Sequence, residues 1–189
     1  MLYQKIKLLL SIFLLVFVTT SCASNLDIQT LNKKANTLMN AGDVDGAIAK
    51  LEAIKDLNPN VPQTNYNLGI AYYKKGNLGK ALTALNKAIL LNKNFADAYY
   101  SRAVIYEDLE SQGTIDAGKK FDKANPENTD KKLEYLYKAR EDYTKYVNIA
   151  KDASDAQGAK SKIEELNSEI SKYKPLQQPQ SIPAQNKNN

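Results

Sequence analysis

Pro62 to Phe95 reads PQTNYNLGIAYYKKGNLGKALTALNKAILLNKNF, and the placing of its small and bulky residues decides the fold. Leu68 and Tyr72 lie on one side of Gly76 and Leu85 on the other, apolar marks spaced for helix seams rather than for alternating strands. Gly69, Ala81 and Ala88 stay small where two helix backbones approach, and Gly76 supplies a permissive backbone at the turn between them. The same marks recur at a step of 34 residues: Ala35, Gly69 and Ala103 share one register, and Leu38, Tyr72 and Tyr106 another. Gly42 with Gly76, Ala47 with Ala81, Leu51 with Leu85 and Leu57 with Leu91 keep that step. A fixed period of this length signals stacked two-helix units, none of which can bury its apolar side alone.

Three copies can be laid down, at 28–61, 62–95 and 96–151. The first carries Ala35, Leu38, Gly42, Ala47, Leu51 and Ile54 in the matching places, and Asn58-Pro59 stops it before the next begins. The third opens with Tyr99, Ala103 and Tyr106, but its glycine place holds Glu110. Its pattern resumes at Ala139, Tyr143 and Tyr146, which repeat the spacing of Ala81, Leu85 and Ala88. An insertion at about 112–132, rich in Gly and Asn, therefore separates the halves of this copy, as a loop or as an extension of the flanking helices. Residues 154–173 place Ala156, Ile163, Leu166, Ile170 and Tyr173 near one helix face, the mark of an end helix that caps the last apolar face, with Lys160, Lys162, Glu164 and Glu165 turned to water. Residues 174–189 have no apolar period and three prolines, which predicts a disordered tail.

Leu68-Gly69, Tyr72, Gly76, Ala81, Leu85 and Ala88 stand where tetratricopeptide (TPR) repeats carry Leu-Gly, Tyr, Gly, Ala, a bulky apolar residue and Ala, so this stretch resembles that family. The resemblance implies an all-α, TPR-like solenoid of antiparallel helix pairs over 28–173, ending in the capping helix. It also implies that the first helix of each unit lines a concave face through its fifth, ninth and twelfth positions. In the second copy these are Tyr66, Ile70 and Tyr73, and in the third Tyr100, Val104 and Glu107, each trio on one helix face. Either that stripe binds a partner protein or peptide, or it packs internally under the insertion, end helix or tail. Some family members grip a carboxyl terminus with Lys, Asn and Arg. Asn36 and Asn67 match the asparagines, but Asn32, Asp97 and Ser101 replace the basic residues, which removes the charge that would hold an anion. Glu107, Asp108 and Glu110 make the third unit's inner edge acidic, which favours a basic or neutral extended segment.

The chain has 189 residues, no His and one Cys, which argues against metal sites and against a neutral-pH general base. The expectation is a binding protein without cofactor or metal rather than an enzyme. The excess of Lys and Arg, 26 against 21 acidic residues, includes Lys5 and Lys7, and the remainder is mixed in sign along the helices, unlike a nucleic-acid footprint.

Lys5 and Lys7 precede the apolar run Leu8 to Val18, which is long enough for an export signal and short of the ~20 residues of a membrane span. Thr19, Thr20, Ser21 and Cys22 follow, and the arrangement resembles a bacterial lipoprotein signal peptide at 1–21, with Cys22 bearing the lipid (palmitate) and 22–27 a linker. Thr19 stands where Leu is usual. A plain secretory signal and an uncut anchor helix are the alternatives. A lone cysteine fits lipidation, because it cannot form an internal disulfide. The resemblances together imply a membrane-anchored scaffold of the cell envelope, facing the periplasm from the outer membrane in a two-membrane bacterium. Its partner would be a secretion, pilus or envelope-assembly component. The alternative is an accessory or catalytic protein of peptidoglycan metabolism whose site the insertion completes.

Overall fold

The computed structural model describes residues 27–113 and 126–173. The signal peptide expected at 1–21 with Cys22, most of the insertion and the tail at 174–189 lie outside the described residues. Within them the chain is all-helical, with seven helices and no strand. They are α1 (27–40), α2 (Val44–Leu57), α3 (Pro62–Lys74), α4 (Leu78–Leu91), α5 (Ala96–Ser111), α6 (Pro126–Ile149) and α7 (Ala156–Tyr173). The chain divides into two compact units, one ending at Ala98 and the other beginning at Tyr99.

In the first unit the 34-residue step reaches down to single hydrogen bonds. Gly42 and Gly76 have φ of 86° and 77°, the left-handed region that a side chain resists. Beside them Asp43 N–H donates to Leu38 O at 2.9 Å and Asn77 N–H to Tyr72 O at 2.9 Å, which satisfies carbonyls that the ends of α1 and α3 leave open. The same two residues then cap the next helices. Asp43 Oδ1 accepts from Gly46 N–H at 2.9 Å and Asn77 Oδ1 from Lys80 N–H at 3.1 Å. Pro62 opens α3, where a missing N–H costs nothing.

The seam between α3 and α4 forms as the small residues predict. Leu68, Ala71 and Tyr72 of α3 and Ala81, Leu85 and Ala88 of α4 are buried. A Cβ on Gly69 would stand 2.7 Å from Leu85 Cγ, so α4 takes its place against α3 only because that position is glycine.

In the second unit α5 runs through Glu110 to Ser111 and closes at Gly113, whose φ is 61°. The absent glycine at position 110 lengthens the helix until a residue tolerant of the left-handed region arrives. α6 begins at Pro126, so residues 126–132 of the insertion are helical, the extension alternative over that part. Lys131 and Lys138 flank Glu134 one turn away on either side, adding local support to α6. Ala139, Tyr143 and Tyr146 are buried. α7 starts two residues later than expected and buries Ala156, Ala159, Leu166 and Ile170. Lys162, expected to face water, lies 3.4 Å from Glu107 and 3.1 Å from Glu165.

Candidate functional site

α1 and α3 face each other across a polar contact. Asn32, only 4% exposed, donates to Thr64 Oγ1 at 2.9 Å and accepts from Asn67 Nδ2 at 3.0 Å, while Gln63 donates to Asn67 Oδ1 at 3.0 Å. Beside this network Ile28, Asn32 and Asn36 of α1 and Gln63 and Asn67 of α3 line a cavity of about 220 Å³, with exposed Lys33 at its edge. Asn36 Oδ1 is buried and, among the described residues, accepts no hydrogen bond. A buried carbonyl without a donor costs about 1–3 kcal/mol, a cost that an incoming N–H removes.

Asn32 and Asn36 lie 34 residues before Tyr66 and Ile70. They are the first copy's counterparts of the expected binding positions, and carrying the same rule one period upstream would have found them. The sequence reading met both amides only as positions of a carboxylate clamp, which it set aside for want of basic residues.

The residues singled out from the sequence fall into two groups. Tyr66, Ile70 and Tyr73 of the first unit are half-buried on α3, and the Tyr66 ring lies 5.0 Å from Phe95 at a tilt of 38°. In the second unit Tyr100 turns its ring against Tyr143 and Tyr146 of α6, with centroids 5.3 and 5.1 Å away at steep angles. Glu107 accepts from the Tyr143 hydroxyl at 2.5 Å. Burial, with the Glu107 carboxylate second, pushes the Tyr143 phenol well above its ordinary pKa, so it stays a donor at any physiological pH. Val104 lines a cavity of about 440 Å³ with Leu136 and Leu166. Tyr100 and Glu107 thus serve contacts with α6 and α7. Cys22 lies outside the described residues.

Among the described residues no three His, Cys, Asp or Glu side chains gather as a metal site. No described helix is long and apolar enough to cross a membrane.

The fold is that of TPR-like proteins. Residues 71–109 match the family described as TPR repeat. A stretch of 69 residues is 29% identical to the BBSome complex member BBS4 homolog of Drosophila melanogaster, covering 36% of this chain and 14% of that protein's length. The Sgt2 TPR domain from Aspergillus fumigatus superposes with a TM-score of 0.59 at 17% identity, over 82% of this chain and 87% of that one. The first TPR of Spaghetti (RPAP3), bound to an HSP90 peptide, gives 0.57 at 19% identity, over 76% and 93%. At these identities the likeness shows the fold. Of these neighbours, the Spaghetti domain is the one whose structure holds a partner's peptide, SRMEEVD of HSP90.

Proposed function

We propose that this chain is a lipid-anchored adaptor of the bacterial cell envelope that holds an extended segment of a partner protein against α1 and α3. The observation that carries the reading is the buried, unpartnered Asn36 Oδ1 at the α1–α3 cavity. Peptide N–H groups recur along an extended segment and supply the missing donor, and Tyr66 and Tyr73 offer rigid amphipathic area further along the same helix pair. The bound HSP90 peptide in the Spaghetti domain supports the mode of binding by analogy of fold.

The anchoring rests on the sequence from Lys5 to Cys22. Acyl chains on Cys22 would confine the domain to the membrane surface, where high local concentration lets a modest affinity suffice. Metabolic labelling with a fatty-acid analogue is expected to mark the wild-type protein and leave Cys22→Ser unmarked. An unlabelled wild type defeats the lipid anchor.

For the binding reading, a photo-crosslinking residue placed at Lys33, at the edge of the cavity, is expected to capture one discrete envelope protein in growing cells. The same residue at Ala49, exposed on α2, should not. Equal capture at both positions, or none at Lys33, counts against an α1–α3 site.

A further inference from the structure

Two helix faces of the second unit enclose a groove, the cavity of about 440 Å³ that Val104 lines. α5 gives it Val104, Glu107, Asp108 and Ser111, and α7 gives it Lys162, Glu165, Leu166 and Glu169, each an i, i+3, i+4, i+7 stripe. Buried Leu136 of α6 and Leu166 form its apolar floor with Val104. The two helices run the same way, since Lys162 pairs with Glu107 while Lys132 meets both Glu110 and Glu169 further along.

The charge of this groove is one-sided. With Glu110 its lining holds five carboxylates to one lysine among the described residues. Lys132 on Glu110 and Lys172 on Glu169, each at 2.6 Å, bring the ammonium groups to three and the excess of carboxylates to two. A groove between α2 and α4 instead has three lysines to two carboxylates, and the α1–α3 cavity has one lysine and no carboxylate.

We propose that residues 174–189 of the same chain dock in the α5–α7 groove, so that the tail closes the third copy's inner face to a partner until it is displaced. That segment carries Lys174 and Lys187 and no Asp or Glu, which matches the excess of two, and it brings Leu176 and Ile182 for the apolar floor. It also starts where the groove opens, because Glu169 lies one turn before Tyr173, the last residue of α7. Pro175 turns Lys174 away from helical geometry, and Pro179 and Pro183 favour an extended chain beyond it. Lys162 to Glu169 is about 10 Å of helix, whereas the fourteen residues from Tyr173 to Lys187 span up to about 45 Å, so the segment can turn back and reach every carboxylate of the groove. The tether keeps it at roughly millimolar local concentration, where modest contacts suffice. Residues 114–125, which follow the end of α5, carry Asp116 and Asp122 beside their lysines and match the charge less well. The groove shares no lining residue with the α1–α3 cavity, so either site can fail without the other.

Carbodiimide coupling of the full chain at low concentration, with the joined peptides mapped by mass spectrometry, tests this. Lys187 is expected to couple within one chain to Glu107, Asp108 or Glu165 at least about tenfold more than to Glu164, which is exposed on α7 beside the stripe. Leu176→Ser with Ile182→Ser should erase that preference. Equal coupling to Glu164, no coupling to the groove, or indifference to the Ser pair overturns the assignment. Coupling found only in dimers, or through Lys119 or Lys120 in place of Lys187, also overturns it, in favour of a second copy or of the insertion.

Discussion

Arg102→Ala is expected to destabilise the second unit by about 3–5 kcal/mol at neutral pH, because it strands a buried carboxylate. Arg102 grips Asp142 with both arms of the fork, Nε to Oδ2 at 2.7 Å and Nη2 to Oδ1 at 2.7 Å, and Asp142 is 3% exposed. Burial pushes the Asp142 carboxyl up, and the bonds to Arg102 pull it back. Removing the guanidinium leaves burial unopposed, so the folded variant holds the Asp142 proton to a higher pH than the unfolded chain does. The sign follows from linkage: a raised folded pKa gives stability at low pH that disappears as pH climbs through that pKa. The deficit of Arg102→Ala should therefore be largest near pH 8 and should shrink toward about pH 5. Urea unfolding of both proteins at the two pH values checks it. A deficit independent of pH would mean that lost packing over Tyr99, rather than a stranded charge, sets the cost.

The seam of the first unit gives the second large effect. Leu85 is fully buried, and Leu85→Ala should cost about 2–5 kcal/mol through lost burial and the cavity left behind. Gly69→Ala forces a Cβ to within 2.7 Å of Leu85 Cγ and 2.9 Å of its Cδ2. Overpacking outweighs the helix-propensity gain of about 1 kcal/mol, for a net loss of about 1–2 kcal/mol. The two sites are coupled, because the atoms that obstruct the new methyl are those that Leu85→Ala deletes. In the Leu85→Ala background Gly69→Ala should be neutral or stabilising, a coupling of about 1–3 kcal/mol in the double-mutant cycle. Strict additivity would place the close approach somewhere other than this pair.

The helix pairs were legible because their period is carried by residues with few substitutes. Gly42 and Gly76 must accept positive φ, Gly69 must lack a Cβ, and Asp43 and Asn77 cap the helices that follow. The third copy was harder to read, since nothing at Glu110 says where α5 ends, and Gly113 answers only once the helix has run past the expected frame. The binding positions were half legible. Period and face placed Tyr66 and Tyr100 alike, yet the surroundings of Tyr100 are set by Tyr143 and Tyr146, more than forty residues downstream beyond an insertion of unpredictable path. Asn32 and Asn36 were legible only as positions of a clamp that lacks its charge, because an amide's meaning depends on its partners. Asn32 finds Thr64 and Asn67, and the Asn36 carbonyl finds no donor among the described residues. No spacing rule distinguishes the two.

The most direct measurement is calorimetric titration of the segment captured at Lys33, made as a synthetic peptide, into wild type and Asn36→Ala, with melting curves for both. Loss of a buried acceptor that only the ligand satisfies predicts affinity lower by about 1–3 kcal/mol and a free protein that is no less stable. Unchanged affinity, or a fall in melting temperature that accounts for the lost binding, would contradict a peptide site at α1 and α3.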